Sequence, residues 1–408
     1  MLNSLITKDG SVVGATAVNV RNGKFLVFKA KATLLSTGGA QARMYSYPFA
    51  AFPNNLFFSY NSPNNAGGGA AAAYRAGVKL INLEWLFILP FVAGFGTYQG
   101  AATVDPPINS KGENIWAKYP EIPKQYPTGG FLPFTNYVYS PNMSEAEMER
   151  DVLMFDTTTY SEEKEWFGSF MSANEWPFVL KLMRDRGGLR KAPYEQFPQL
   201  LGIPRNFSGV WPVNEKGETS LKNLFVAGDV GGALPLYGVP AATGWGYRIG
   251  RYLGKYAPDI TKPEFDGEQL KQVQAERERV LAPLGRKKEV NTYELEDLTR
   301  KIMTYYVGIH KTEPKLKRCL ELLKVAKEKF LPKLGASNPH ELMRALEVQD
   351  IIELSELHTQ ASLLRAETRF PPAHYRVDYP EQDDAHWKKN IVIQNVAGEM
   401  KYTLETLD

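Results

Sequence analysis

The fold is decided by residues 219–229, which read TSLKNLFVAGD. Leu224 to Ala227 are all apolar, which favours a short strand buried on both faces. Gly228 permits a tight turn where that strand ends, and Asp229 follows at once. Ligands of doubly wound sheets sit at the carboxyl ends of strands, so Asp229 can accept hydrogen bonds from a ligand hydroxyl. A Gly-Asp turn after any buried strand is the alternative on these residues alone.

The next segment, VPAATGWGYRIGRYLG at Val239–Gly254, predicts a helix. Pro240 suits its first turn, and Gly244, Gly246 and Gly250 recur at roughly helical spacing. A helix start presents free N–H groups and partial positive charge, so it favours an anionic ligand group. The alternative is a glycine face that packs closely against a sheet. Gly231 and Gly232 would let the backbone approach a flat ligand.

The N-terminal part predicts strands and one helix. Ser11–Val20 and Lys24–Leu35 are rich in Val, Phe and Thr, which is typical of a meander returning to a main strand at Ala32–Ser36. That strand ends in Thr37-Gly38-Gly39. Asn64–Gly77 predicts a helix with Asn64 or Asn65 as cap. Its glycines at 67–69 weaken it, which indicates that something approaches their backbone closely.

The later chain divides into two regions of different composition. About Phe91 to Pro204 is rich in proline, aromatic residues and turns, and we expect an inserted domain with short helices in 144–151 and 161–186. Past Pro263 we expect long helices, at Gln269–Leu284, Thr292–Tyr306, Glu313–Leu331 and Pro339–Thr368. The last has Asn338 as N-cap, Pro339 in its first position and a buried stripe (Ile351, Leu354, Leu357, Ala361, Leu364).

Composition excludes several classes of protein. The net charge of +3 over 408 residues argues against a nucleic-acid surface. The single cysteine, Cys319, cannot form an intrachain disulfide or hold an iron–sulfur cluster, which needs about four thiolates. No apolar run reaches the ~20 residues that a membrane span needs. A cytoplasmic protein without membrane or nucleic-acid partners is therefore expected.

Four segments together resemble a known family. TSLKNLFVAGD matches the C-terminal FAD motif of two-dinucleotide-domain flavoproteins. LLSTGG at Leu34–Gly39 resembles their ATGG strand, and Asn65–Glu84 resembles their TGDG…A…AGA…ME segment. RAETRFPPAHYRVDYPEQDDAHWKKN, Arg365–Asn390, is the most specific piece. It is similar to the fumarate reductase, succinate dehydrogenase and adenylylsulfate reductase flavoprotein superfamily. Phe370–Pro372 and Leu298–Leu323 favour the adenylylsulfate reductase α-subunit branch.

The resemblance implies an α/β fold: a partial two-dinucleotide-type FAD-binding domain, an inserted α+β cap and a C-terminal helical domain. The expected divisions are 1–90 and 206–262 for the FAD domain, 91–205 for the capping and substrate domain, and 263–408 for the helical domain and tail. The cofactor is FAD, and the implied contacts are Thr37, Gly38, Gly39, Gly228, Asp229, Pro240, Ala241, Ala242 and Gly244. The family's G-x-G-x-x-G segment is absent from the sequence, so we expect a truncated chain or a separate polypeptide carrying that segment.

The implied activity is electron transfer between the flavin and a small substrate, and the implied partner is an iron–sulfur protein. The substrate side departs from the family, because Ile88–Phe91 stands where fumarate reductases have His-Pro-Thr, and Leu234–Ala242 has no arginine. Arg205, Arg190 and Arg186 are the candidate catalytic residues, although a solvated surface position is the favoured interpretation of each. Tyr98, Trp211 and Tyr237 line either a pocket or the core. Adenylylsulfate reduction itself and a non-catalytic scaffold remain alternatives.

His374 and Arg376 match the family's terminal H-x-R pattern. A structural role, in which Asp378, Asp383 and Asp384 help to tie the tail to the FAD domain, is the alternative for both, and we expect it for His374.

Overall fold

The structure is a computed structural model that describes only part of the chain. The described residues are 1–39, 43–45, 64–85, 87–92, 107–108, 111–113, 154–155, 162, 185, 194–201, 208–232, 238–369 and 374–406. Of 87–92, 107–108, 154–155, 194–201 and 238–241 only the backbone is described. The helices expected within 144–151 and 161–186 lie outside this part.

The described strands are β1 (Leu2–Lys8), β2 (Ser11–Val18), β3 (Phe25–Lys29), β4 (Thr33–Leu35), β5 (Leu80–Ile81), β6 (Phe87–Val92), β7 (Pro107–Ile108), β8 (Met154–Phe155), β9 (Tyr194–Leu201), β10 (Gly209–Val210), β11 (Leu224–Val226), β12 (His310–Lys311), β13 (Tyr375–Arg376), β14 (Lys389–Val396) and β15 (Glu399–Thr406). The described α-helices are α1 (Gly68–Arg75), α2 (Gly238–Tyr256), α3 (Gly267–Leu281), α4 (Thr292–Tyr306), α5 (Glu313–Val325), α6 (Pro339–Leu364) and α7 (Asp384–Trp387).

The chain opens with an antiparallel meander in the order β1-β2-β3. Asp9 and Gly10, at φ 46° and 72°, make the tight turn between β1 and β2. β1 was not predicted from the sequence, and its register shifts between Leu2 and Ser4 and again between Ile6 and Thr7. These irregularities disturb the alternation of buried and exposed residues by which a strand is recognised.

The predicted main strand, β4, pairs with β11, the strand of the TSLKNLFVAGD motif. β4 and β11 run parallel, with Leu35 opposite Val226. Leu224, Phe225 and Val226 are completely buried, as expected for a strand covered on both faces.

Helix α1 starts later than predicted. Its N-cap is Gly67 at φ 80°, without a side-chain cap, so the expected cap at Asn64 or Asn65 is wrong. A left-handed glycine can begin the helix there because it lacks the Cβ that makes such a φ costly. The predicted end is confirmed: Gly77 has φ 81°, and the Val78 N–H donates to Ala73 O at 3.0 Å.

The last strands return to the N-terminal half of the chain. β14 and β15 form a hairpin that joins β5 and β10 in a sheet of order β10-β5-β14-β15. Ala397 (φ 54°) and Gly398 (φ 88°) form its turn. Only an extended tail was expected here from the sequence. A separate sheet, of order β6-β9-β8-β7, is made by strands between residues 87 and 201.

The predicted helices beyond Pro263 are confirmed, with shifts at their ends. α4 has the predicted bounds, and α5 stops at Val325, where a π-helical turn continues to Phe330. Asn338 caps α6, since its Oδ1 accepts from the Glu341 N–H at 3.0 Å. The stripe predicted for α6 is buried or half-buried. Among the described residues, no helix is both long and apolar enough to cross a membrane.

Candidate cofactor-binding site

The two glycine-containing motifs of the sequence meet at one edge of the fold. Because β4 and β11 are parallel and in register, their carboxyl ends lie side by side. The Ala227 N–H donates to Leu35 O at 3.0 Å, at the point where both strands end. Thr37-Gly38-Gly39 therefore continues next to Gly228-Asp229. This is the edge of a parallel sheet where ligands bind.

Gly38 borders the start of α1. It has φ 78°, and a Cβ added to it would stand 2.8 Å from Asn65 Nδ2. The Thr37 side chain contacts Gly69 so closely that no side chain fits at position 69. This contact gives the physical reason for one of the helix-weakening glycines. Asn65 Oδ1 is buried and has no hydrogen-bond partner in the described part of the chain.

Gly228 borders the start of α2. Its φ is 72°, and an added Cβ would lie 3.6 Å from Ala242 Cα. The half-buried Asp229 follows in a short 3-10 turn, Gly228–Val230. α2 begins at Gly238, so Pro240 and Ala241 lie in its first turn, as predicted. The structure thus brings the strand end and the helix start together.

Among the described residues, none packs closely against the glycines along α2. No described atom lies within 4 Å of a Cβ added to Gly244, Gly246 or Gly250. The opposite side of the helix packs on β11: Tyr256 and Phe225 have ring centroids 5.6 Å apart. The glycine side therefore remains open in the described structure.

Gly231 and Gly232 follow Asp229 and are predicted to let the backbone approach a flat ligand. In the structure, the Gly232 N–H donates to Val210 O at 2.8 Å, and an added Cβ would stand 2.9 Å from the Gly209 backbone nitrogen. Gly232 is therefore also needed for close approach to β10, because two backbones meet there.

The residues present fit the flavin cofactor that the sequence predicts. Gly38 and Gly228 leave both strand ends without side chains at positive φ. The orphan amide oxygen of Asn65 and the half-buried carboxylate of Asp229 are acceptors suited to a polyhydroxyl group. Gly39 is buried behind Gly38. Within the described ranges, no group of His, Cys, Asp and Glu side chains could hold a metal ion.

Several candidate residues cannot be placed. Arg186, Arg190 and Arg205 lie outside the described residues, as do Tyr98 and Tyr237. Trp211 is described: its backbone N–H donates to Lys79 O at 3.0 Å, and Lys79 Nζ stands 5.5 Å from the centroid of its ring. It lies directly after β10, beside β5.

The C-terminal motif, Arg365–Asn390, forms a buried ionic cluster that includes Glu84. Arg365 is 1% exposed and bonds Glu84 Oε1 at 2.7 Å and Glu367 Oε1 at 3.0 Å. It also donates to the carbonyl oxygens of Trp387 and Lys389. Burial raises the pKa of Glu84, and Arg365 opposes that shift. The cluster joins the end of α6 to the segment after β5.

The remaining motif residues extend that cluster as expected for a structural role. Arg369 pairs with Asp384 at 2.6 Å, and Arg376 pairs with Asp378 at 2.9 Å. His374 is completely buried, and its Nε2 lies 3.1 Å from Arg365 O. Burial, aided by nearby cations, holds the pKa of His374 well below its usual range. A neutral, inaccessible imidazole at this position fits a structural role, the contact of the tail with the end of α6.

Lys311, which lies next to this cluster, was not predicted from the sequence. It stands opposite Arg376 in the β12–β13 pair and is completely buried. Its Nζ has no hydrogen-bond partner among the described residues. Burial first, and Arg376 second, lower the pKa of Lys311 to about 7. Nothing in GIHKTEPK distinguishes this lysine from a surface one.

Comparisons with known proteins agree with this architecture. A family model described as an FAD binding domain matches residues 1–96, and one described as the fumarate reductase flavoprotein C-term matches residues 296–408. The chain is similar to one of the subunits of the fumarate reductase (CoM/CoB) of Methanothermobacter marburgensis, at 24% identity over 416 residues. That alignment covers 96% of this chain and 69% of the relative.

Solved structures show the same fold. A quinol fumarate reductase of E. coli matches with a TM-score of 0.79 at 20% identity, over 100% of this chain and 70% of that one. The adenylylsulfate reductase of Archaeoglobus fulgidus matches with a TM-score of 0.77 at 22% identity, over 100% of this chain and 71% of that one.

Proposed function

The chain belongs to the flavoprotein superfamily of fumarate reductase, succinate dehydrogenase and adenylylsulfate reductase, and we propose that this FAD-dependent oxidoreductase passes electrons between the flavin and a small organic substrate. A separate iron–sulfur protein is the proposed electron partner. The only cysteine, Cys319, is buried, so this chain cannot supply the thiolates of a cluster.

One observation carries the proposal: the parallel pairing of β4 with β11. It places Gly38 and Gly228, both at positive φ, next to each other at the carboxyl edge of the sheet. Neither motif alone makes a site, because each supplies only one wall. Their juxtaposition supports a half-site for the flavin.

The chain's own residues bind and orient the cofactor. Asp229 would hold a hydroxyl of the ribityl or sugar portion, and the first turn of α2 would direct its free N–H groups, to which Pro240 contributes none, at the flavin. Pro240, Ala241 and Ala242 would contact the flavin through the backbone of that turn. Thr37, Gly38, Gly39 and Gly244 complete the contacts. The bound flavin supplies the redox chemistry, whereas the protein supplies binding and electrostatics.

Further parts of the proposal concern the domain division, the substrate site, the rest of the cofactor site and the location. Residues 91–205 are proposed as the capping domain, between FAD-domain segments 1–90 and 206–262, with 263–408 as the helical domain and tail. Arg186, Arg190 and Arg205 are proposed to bind an anionic substrate. Since the 408 residues contain no G-x-G-x-x-G, we propose that another polypeptide segment holds the pyrophosphate. A cytoplasmic location is part of the same proposal.

The first experiment measures flavin in protein purified natively with its partners. We expect about one FAD per chain, and an iron–sulfur protein in the same preparation. Asp229→Ala should raise the Kd for FAD by up to about tenfold, the loss expected when a hydrogen bond to a bound group is removed, and so lower the flavin retained on dialysis. Asp259→Ala is the matched control, because Asp259 is an exposed aspartate just after α2. Native protein without flavin would refute the proposal.

The second experiment identifies the substrate. Turnover is measured with fumarate, succinate and adenylylsulfate, using a reduced or oxidised dye for the electrons. Activity with the nucleotide alone would establish the alternative in which recruited arginines bind the sulfonucleotide. Bound flavin without turnover of any organic acid or nucleotide would support the scaffold alternative.

A further inference from the structure

The outer edge of β15 has features of an interface. In the described structure, no strand pairs with this edge. β15 is eight residues long and pairs along its whole inner edge with β14. A long regular edge strand offers unpaired N–H and C=O groups to another strand.

The hydrogen-bonding direction of each β15 residue follows from its neighbours. The Ile391 N–H donates to Asn82 Oδ1 at 2.9 Å, and Ile391 O accepts from the Asn82 N–H at 2.8 Å. Ile391 in β14 therefore faces β5, and the alternation of antiparallel strands turns Val392 towards β15. Thr403 opposite Val392 faces inward for the same reason. Tyr402 and Leu404 then direct their backbone groups outward.

The apolar face of this sheet becomes exposed to solvent at the same edge. Tyr402 lies opposite Ile393, and Leu404 lies opposite Ile391, so each pair shares a face of the sheet. The two isoleucines are buried, whereas Tyr402 is 51% and Leu404 38% exposed. The core face thus continues into two exposed apolar side chains.

We propose that β15 pairs antiparallel with β15 of a second copy of this chain, about a twofold axis at Thr403. In this register Tyr402 lies opposite Leu404 of the second copy, and their outward N–H and C=O groups pair. The apolar face then continues across the axis. On the other face Lys401 lies opposite Glu405 of the second copy, so both symmetry-related pairs attract.

Charge selects this register over the nearest alternative. Centring the axis on Tyr402 also satisfies the backbone, but it places Glu399 opposite Glu405 of the second copy. Like charges directly opposite are destabilising. The self-complementarity of Lys401 and Glu405 is the reason for choosing a second copy as occupant. Within one chain Lys401 pairs with Glu399, and Glu405 lies 3.8 Å from Lys79, so the pairs between copies would share these charges with partners in the same chain.

The test is a charge-exchange experiment followed by analytical ultracentrifugation of the full chain. The wild-type chain is expected to dimerise reversibly. Lys401→Glu alone and Glu405→Lys alone each place like charges opposite one another twice, and each should raise the dimer Kd at least about tenfold. An equimolar mixture of the two variants restores both attractive pairs, so the mixture should dimerise again.

Glu399→Lys is the matched control. Glu399 is 72% exposed on the same strand and face, and the proposed register places no charged residue of β15 opposite it. The control should keep the wild-type dimer Kd. If the axis lay at Tyr402 instead, Glu399→Lys would lower the dimer Kd, because the introduced lysine would then lie opposite Glu405 of the second copy. A wild-type chain that stays monomeric at every concentration overturns the proposal. So does a mixture that is no more dimeric than its components when circular dichroism shows that both variants are folded. Recovered dimerisation in the mixture cannot result from misfolding.

Discussion

Lys311→Met should make the protein more stable near neutral pH. Lys311 is completely buried with no partner for its Nζ among the described residues, and its pKa falls from 10.5 to about 7. In the unfolded chain the same lysine titrates near ~10.4. Between these two values the unfolded chain binds more protons than the folded one, so the free energy of unfolding rises with pH.

The size of the effect follows from the shift. From 10.5 to about 7, at about 1.4 kcal/mol for each pH unit, the burial costs about 5 kcal/mol. That cost is present in full below the folded pKa and disappears as the pH rises to the unfolded value. Methionine keeps an unbranched stem without the ammonium group. The variant should therefore gain up to about 5 kcal/mol at low pH, and its advantage should shrink by about 1.4 kcal/mol for each unit of rising pH.

The measurement is urea denaturation of wild type and variant at several pH values from about 6 to about 9. The difference between the two proteins isolates Lys311, because groups such as Cys319, whose thiol pKa burial raises to about 12, are common to both. Lys271→Met, at an exposed position on α3, is the control, and its free energy of unfolding should stay close to that of the wild type at every pH. A difference for Lys311→Met that does not change with pH would refute the reasoning.

Three further predictions follow from buried or strained positions. Arg365→Met leaves the buried Glu84 uncompensated and should lower the free energy of unfolding by about 3–5 kcal/mol. Arg318→Met, which breaks an exposed ion pair, should change the free energy of unfolding little. Asn338→Ala removes the N-cap of α6 and should cost about 1 kcal/mol in thermal or urea unfolding. Gly228→Ala forces a Cβ onto φ 72°, so it should cost about 1 kcal/mol or more and reduce flavin retention on gel filtration; unchanged retention would remove Gly228 from the site.

Local signals were sufficient for the elements that depend on neighbours in sequence. Asn338, Pro339 and Glu341 indicate the start of α6, because the capping contacts span only three residues. Gly77 indicates the end of α1 in the same way. The cap of α1 was misassigned because Gly67 takes a backbone conformation that does not require a side chain.

The sequence predicted the residues of the candidate site but not the contact between its two motifs. The residues of the motifs at Gly38 and Gly228 were predicted from resemblance and strand pattern, but their contact depends on the pairing of β4 with β11. The close approach of Gly232 to β10 was not predicted, since β10 is close to it in space and distant in sequence. Asn65 was assigned to a helix cap, yet it lies against Gly38.

The sequence by itself determined the superfamily resemblance, the buried strand at Leu224–Val226 and the long helices after Pro263, because each rests on a pattern within a few turns or residues. Only the tertiary structure decided that Lys311 is buried beside Arg376, that Arg365 compensates Glu84, and that β15 ends a sheet begun near Leu80. The physical reason is that burial, desolvation and strand pairing are properties of surroundings. Those surroundings are built by residues hundreds of positions away, and no local pattern records them.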